Sequence, residues 1–168
     1  HMTDITWAYE EAVRWGTAGG VIVEKFIPGL QLSSESFILN GKCYTPALSE
    51  RNYARLAEFR PYIIEDGGTI PALINDSLKE KISNLILRGA LAMGIDRGVV
   101  KGDLVIDEHG EPLIIELAAR LSGGWFSTHQ IPAATGVDLV DAVMSDSLGL
   151  PISEDDFSIK KNRSTAIR

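Results

Sequence analysis

Gly98-Val99-Val100-Lys101-Gly102-Asp103-Leu104-Val105-Ile106, the polar interval Asp107-Glu108-His109-Gly110-Glu111, and Pro112-Leu113-Ile114-Ile115-Glu116-Leu117-Ala118 together decide how this chain is built. Two aliphatic runs separated by turn-forming residues predict a β-hairpin. Side chains alternate faces along a strand, so Lys101, Asp103 and Val105 share one side of the first run. Ile114, Glu116, Ala118 and Arg120 share one side of the second. With a loop of Glu108 to Glu111, Asp107 pairs with Pro112, and counting back sets Asp103 directly opposite Glu116. Like charges facing each other across a ladder are destabilising by a few tenths to about 1 kcal/mol. Two resolutions stay open. One is a cation such as Mg²⁺, a hard ion held by one or two carboxylates together with phosphate oxygens. The other is a solvated hairpin face on which Lys101 neutralises Asp103.

Outward from the hairpin, Leu78, Ile82, Leu85, Ile86, Gly89 and Met93 recur at helical spacing behind Ser77-Leu78-Lys79-Glu80, which has the form of a capping box, and predict a helix to Met93. Ile5, Ala8, Ala12 and Trp15 predict an amphipathic helix over 4–16, closed by Gly16. From Val21 the pattern is β: Val21 to Phe26, Gln31 to Leu39, the turn Asn40-Gly41, and Lys42 to Ser49. A short strand is expected at Pro61 to Glu65. After Arg120, the glycine loop Leu121-Ser122-Gly123-Gly124 leads to helical stretches at Ser127 to Thr135, broken by Pro132, and Asp138 to Leu148. Arg163 to Arg168 reads as a final strand. His1-Met2 is an uncommon natural start and reads as a remnant of tag removal.

The 168 residues, 45% of them hydrophobic, suffice for one globular body. A net charge of −7 without any Lys/Arg cluster argues against nucleic acid or an anionic membrane as partner. The single cysteine, Cys43, excludes an intrachain disulfide and a Cys-based zinc site, and fits a cytoplasmic location. No apolar run approaches the ~18 residues that span a bilayer.

The longer string from Gly98 to Leu104, then Glu111-Pro112-Leu113-Ile114-Ile115-Glu116-Leu117-Ala118-Ala119-Arg120-Leu121-Ser122-Gly123-Gly124, resembles the metal-binding hairpin of the ATP-grasp superfamily. The likeness is greatest to its carbamoyl-phosphate-synthase-like and amino-acid-ligase-like branches. It implies that Asp103 and Glu116 ligate Mg²⁺, with Mn²⁺ able to substitute, and that Arg120 acts at the transferring phosphoryl or acyl-phosphate group. An Asn commonly follows the Glu by two residues in that family, where this chain has Ala118; the first acid is usually Glu, where this chain has Asp103. Val21-Ile22-Val23-Glu24-Lys25-Phe26-Ile27-Pro28-Gly29 resembles the family's adenine-binding strand and hinge. Glu24, Lys25 and Ile27 would then read adenine, and Gln31 would stand where an acid usually holds the ribose. Gly123 and Gly124 would let backbone N–H groups approach a phosphate.

The resemblance spans Val21 to Arg168. It implies an α+β fold, the ATP-grasp C-terminal subdomain, as a mainly antiparallel sheet backed by helices, with residues 1–20 a leading segment and 21–168 the subdomain. The expected activity is that of an ADP-forming ligase that uses ATP and Mg²⁺ to phosphorylate a small carboxylate, which an amine or similar nucleophile then attacks. The family's lysine-bearing strand, glycine-rich lid and N-terminal domain are not recognisable here, so the chain reads as part of an active site, inactive by itself. A non-catalytic nucleotide-binding module of the same fold is the rival reading. His109 and His129 are expected at the surface, and Trp125 and Phe126 in core or lid packing. Arg51 and Arg60 lie where that family often places substrate-carboxylate contacts, but nothing in their spacing distinguishes them from surface arginines.

Overall fold

A computed structural model describes residues 2–59 and 61–168, with side chains from Asp4 onward. Helix α1 (Met2–Trp15) leads. It is followed by β1 (Leu30–Leu39), β2 (Lys42–Arg51), β3 (Gly68–Ile70), α2 (Asp76–Ala92), β4 (Gly98–Ile106) and β5 (Pro112–Ala118). A π-helical turn (Phe126–Gln130), α3 (Ile131–Thr135), α4 (Leu139–Ser147), a 3₁₀ turn (Glu154–Phe157) and β6 (Thr165–Ile167) complete the chain. The strands form one antiparallel sheet in the order β5-β4-β1-β2-β3-β6. The protein is therefore α+β, as the sequence leads one to expect.

Alternation along β1 and β4 explains why the sheet is covered on both sides. Leu32, Ile38, Val100, Leu104 and Ile106 point one way and pack with Ile82, Ile86 and Ala90 of α2. Phe37 and Leu39 point the other way, into a cluster with Phe126, Ile131, Ala134, Leu139, Ala142 and Phe157. Each fully buried Ile, Leu or Phe contributes about 1.5–3 kcal/mol relative to exposure. Asn40 (φ 50°) and Gly41 (φ 73°) both take the left-handed conformation, which is what a two-residue hairpin turn between β1 and β2 requires.

Several sequence expectations shift. Val21 to Phe26 forms no strand: residues 21–28 run without regular structure, with Ile22, Val23 and Phe26 exposed. An extended segment becomes a strand only beside a partner, and none of the described strands pairs with it. Pro61 to Glu65 is likewise not a strand; the short strand falls at β3, where Thr69 pairs with Glu50. The N-cap of α2 is Asn75, whose side chain accepts from Leu78 N–H at 2.9 Å, rather than the expected Ser77 box. Pro132 does sit in the first turn of α3, where its missing N–H costs nothing, and the winding changes there from π to α. Trp125 is exposed, with φ 64°, and so is not core; Phe126 is buried as expected.

Candidate functional site

The carboxylate hairpin forms with one correction to its register. Ile106 pairs with Pro112 and Leu104 with Ile114, so the loop is Asp107 to Glu111 and Asp107 does not pair with Pro112. Asp107 closes that loop instead: its Oδ1 accepts from the N–H groups of His109 and Glu111, both at 2.9 Å. A bulge then leaves Ile115 unpaired, and the ladder resumes with Asp103 opposite Glu116. The extra residue offsets the one-residue error at the turn. A bulge re-aims the side chains that follow it, and here it brings Glu116 onto the face of Asp103 while Ile114 and Leu117 stay with α2.

On that face the rows across β1 and β4 change from apolar to charged: Phe37 opposite Val99, Glu35 opposite Lys101, Ser33 opposite Asp103, then Gln31 opposite Val105. Beside them opens a cavity of about 370 Å³, whose lining includes Arg51, Glu65, Lys101, Asp103, Gly123 and Gln130. Gly124 lines it as well. Asp103 is held between two cations: Lys101 Nζ donates to its Oδ2, and Arg51 Nη1 lies 3.0 Å from its Oδ1. Arg51 in turn pairs with Glu65 at 2.5 Å. Burial opposes charge on Arg51, but its pairs with Glu65 and Asp103 hold the guanidinium above its ordinary value. The Lys101–Asp103 ion pair, the alternative to a cation between the carboxylates, is thus present, and Asp103 also stands opposite Glu116.

The other expected residues are distributed around this centre. Gln31 lies on the cavity side of β1, one row from Ser33 and Asp103. Glu116 is 56% exposed, with Arg120 Nη2 at 3.9 Å, and Arg120 also donates to Leu121 C=O at 3.3 Å. Glu24 and Lys25 are exposed and Ile27 half-buried, all on the irregular segment before β1 and none on the cavity wall. His129 is exposed, its Nδ1 2.8 Å from Thr128 Oγ1. Arg60 lies outside the described residues. Nothing in the sequence marks Arg51, Glu65, Gln130 or Glu35 as a site residue. Arg51 follows Ser49 on the cavity-side face of β2, a placement that a simple count from the Asn40-Gly41 turn misses because β2 bulges opposite Ser36.

The donor set can be tested against Mg²⁺. Both donors are hard carboxylate oxygens on one face; Asp103 Oδ1 is enclosed and meets the Arg51 guanidinium in an ion pair at 3.0 Å that falls short of hydrogen-bond geometry. Among the described residues no three His, Cys, Asp or Glu side chains group into a metal cage. Mg²⁺ does not need one: it is commonly held by one or two carboxylates with phosphate oxygens and water completing the octahedron. The pair fits that mode.

No protein-family model and no curated protein sequence matches this chain. Solved structures do. The L-amino acid ligase of Bacillus licheniformis is similar at TM-score 0.77 and 23% identity over 95% of this chain and 39% of its own. The biotin carboxylase domain of the Hydrogenobacter thermophilus 2-oxoglutarate carboxylase, in complex with MgADP, ADP and bicarbonate, is similar at TM-score 0.71 and 20% identity over 98% and 35%. An Archaeoglobus fulgidus protein described as of the ATP-grasp superfamily follows at TM-score 0.60 and 21% identity over 86% and 40%. The chain thus spans about two fifths of the length of the structures it matches. Identities this low speak for architecture alone, and by its architecture this chain has the fold of the C-terminal part of an ATP-grasp domain.

Proposed function

We propose that this chain supplies the adenine- and Mg-phosphate-binding half of an ATP-dependent, ADP-forming carboxylate ligase that works through an acyl phosphate on a small carboxylate. The observation that carries the reading is the placement of Asp103 across the ladder from Glu116, on the sheet face that opens into the cavity. The similar structures include an L-amino acid ligase and a biotin carboxylase domain in complex with MgADP, ADP and bicarbonate, which supports that reading.

Asp103 and Glu116 would hold Mg²⁺, which when bound neutralises charge on the phosphates. Lys101 and Arg51 fix the Asp103 carboxylate from two sides, so its orientation needs no reorganisation when a ligand arrives. Arg120, four residues beyond Glu116, offers a planar, permanently charged fork to phosphoryl oxygens. The N–H groups of Gly123 and Gly124 would face the same oxygens. Glu24, Lys25 and Ile27 would contact the adenine edge, and the Gln31 amide the ribose hydroxyls. An amine or similar nucleophile would complete the ligation. A cytoplasmic location belongs to the same proposal.

The test is Glu116→Gln in the full-length protein. Calorimetric titration with Mg·ADP should show Mg²⁺-dependent affinity lost while the circular dichroism spectrum is unchanged. Unaltered affinity in that variant would return Glu116 to the role of a solvated edge-strand carboxylate.

A further inference from the structure

Glu35 has no solvent exposure, and no other acidic side chain among the described residues is buried. A carboxylate enclosed in this way requires hydrogen bonds or a countercharge, and burial pushes its pKa above the ordinary value against the pull of Ser127, Ser122 and Lys101. Neither of its hydrogen bonds goes to a strand. Oε1 accepts from Ser122 N–H at 2.7 Å, and Oε2 accepts from the Ser127 hydroxyl. Ser127 Oγ also lies 3.1 Å from Ser122 C=O. One carboxylate therefore ties both ends of the segment 122–127 to the middle of the sheet.

Between those two anchors lie Gly123 and Gly124 on the cavity wall, and Trp125 at φ 64°. A bulky residue in the left-handed region persists only where its surroundings over-determine the backbone. The anchors on either side provide that constraint. Across the ladder from Glu35 on β4 stands Lys101, which is bonded to Asp103. On β2 its partner is Ala47, which is apolar. Lys101 is thus the charged side chain facing Glu35 from the strands, and Ser122 and Ser127 are the polar groups facing it from the loop.

We infer that Glu35 is the positioning residue of the glycine loop. It holds Gly123 and Gly124 at the cavity from the strand row next to that of Asp103, so that loop and carboxylate hairpin keep one relative geometry. The positioning stands whatever the ligand is; that the held N–H groups serve phosphoryl oxygens rests on the function proposed above.

Amide hydrogen exchange on the ¹⁵N-labelled 168-residue chain tests it. Glu35→Leu should speed exchange at Ser122 by about tenfold or more, and at Phe126, whose N–H bonds Gly123 C=O at 3.2 Å, in the same direction. The strand amides of Leu32, Val100 and Leu104 should stay within about threefold of wild type. Glu35→Gln should hold the loop. Its Oε1 still accepts from Ser122 N–H, and its Nε2 donates to Ser127 Oγ, whose proton turns to Ser122 C=O. Ser127→Ala keeps the carboxylate and should speed Ser122 to a smaller degree, which preserves the test if Glu35→Leu does not fold. Unchanged exchange at Ser122 in Glu35→Leu and Ser127→Ala, equal acceleration in the Leu and Gln variants, or strand amides that accelerate together with the loop would each overturn the assignment. Should Ser122 accelerate in Glu35→Leu while the full-length variant binds Mg·ADP unchanged, the positioning role stands and the phosphate reading of the loop falls.

Discussion

Replacing Asp103 with Ala removes a carboxylate from between two enclosed cations, and the size of the loss follows from how enclosed they are. The side chains of Lys101, Asp103 and Arg51 are 11%, 17% and 22% exposed. Exposed ion pairs contribute about 0–1 kcal/mol, whereas removing one partner of a buried pair costs about 3–5 kcal/mol because it strands the other charge. This cluster lies between those limits, and neither cation is left wholly alone. Arg51 keeps Glu65 at 2.5 Å, and Lys101 keeps Glu35 across the ladder. A loss of about 2 kcal/mol is therefore expected, corresponding to about 4–8 °C in Tm for a domain of this size. Urea denaturation followed by circular dichroism gives the value. Asp103→Asn, which preserves shape and one acceptor, should lose about half as much, and a double-mutant cycle with Lys101→Met should show coupling of about 1 kcal/mol. If Asp103→Ala falls within about 0.5 kcal/mol of wild type, as an ordinary surface substitution does, the enclosed cluster is not a feature of the folded chain.

Gly29→Ala should destabilise by about 3 kcal/mol or more, since φ is +154° and an added Cβ would sit 2.0 Å from the Ile106 carbonyl oxygen; normal stability in urea would contradict that placement of β1 against β4. The raised pKa of Glu35 gives a pH dependence of definite sign: its contribution is fully present below the unfolded value near 4.5 and is lost as pH rises through the folded value. Wild type should therefore lose stability relative to Glu35→Gln as pH rises from about 4.5, and urea midpoints that move the opposite way would show the pKa to be depressed. In the full-length protein, Arg120→Lys should lower kcat and kcat/KM together by on the order of 10²-fold with little change in KM for ATP; lowered thermal stability with normal turnover would make Arg120 structural.

What was legible in the sequence was whatever depends on local periodicity. The helix over Asp76–Ala92 follows its apolar spacing, and the turn at Asn40-Gly41 follows from backbone conformations that those residues accept. What was not legible depends on partners distant in the chain. Val21 to Phe26 has strand composition, but pairing is a property of two segments. The bulges opposite Ser36 and at Ile115 break the two-residue count on which register rests, so the count puts Arg51 on the wrong face of β2 and sets Asp103 opposite Glu116 only because the second bulge offsets the misplaced turn. Glu35 carries no signal in the sequence because a single acid within the polar run Ser33 to Ser36 reads as exposed. Its burial follows only when the segment 122–127, almost ninety positions later, folds back over it.

Anomalous diffraction from crystals of the full-length protein grown with Mn²⁺ and a non-hydrolysable ATP analogue tests the central claim most directly. The account predicts a peak between the β- and γ-phosphates and the hairpin, within about 2.0–2.3 Å of oxygens from both Asp103 and Glu116. It also predicts that the Asp103 carboxylate keeps its contacts with Lys101 at Oδ2 and with Arg51 at Oδ1. A nucleotide-bound peak coordinated by neither carboxylate, with Asp103 paired only to its two cations, would contradict it.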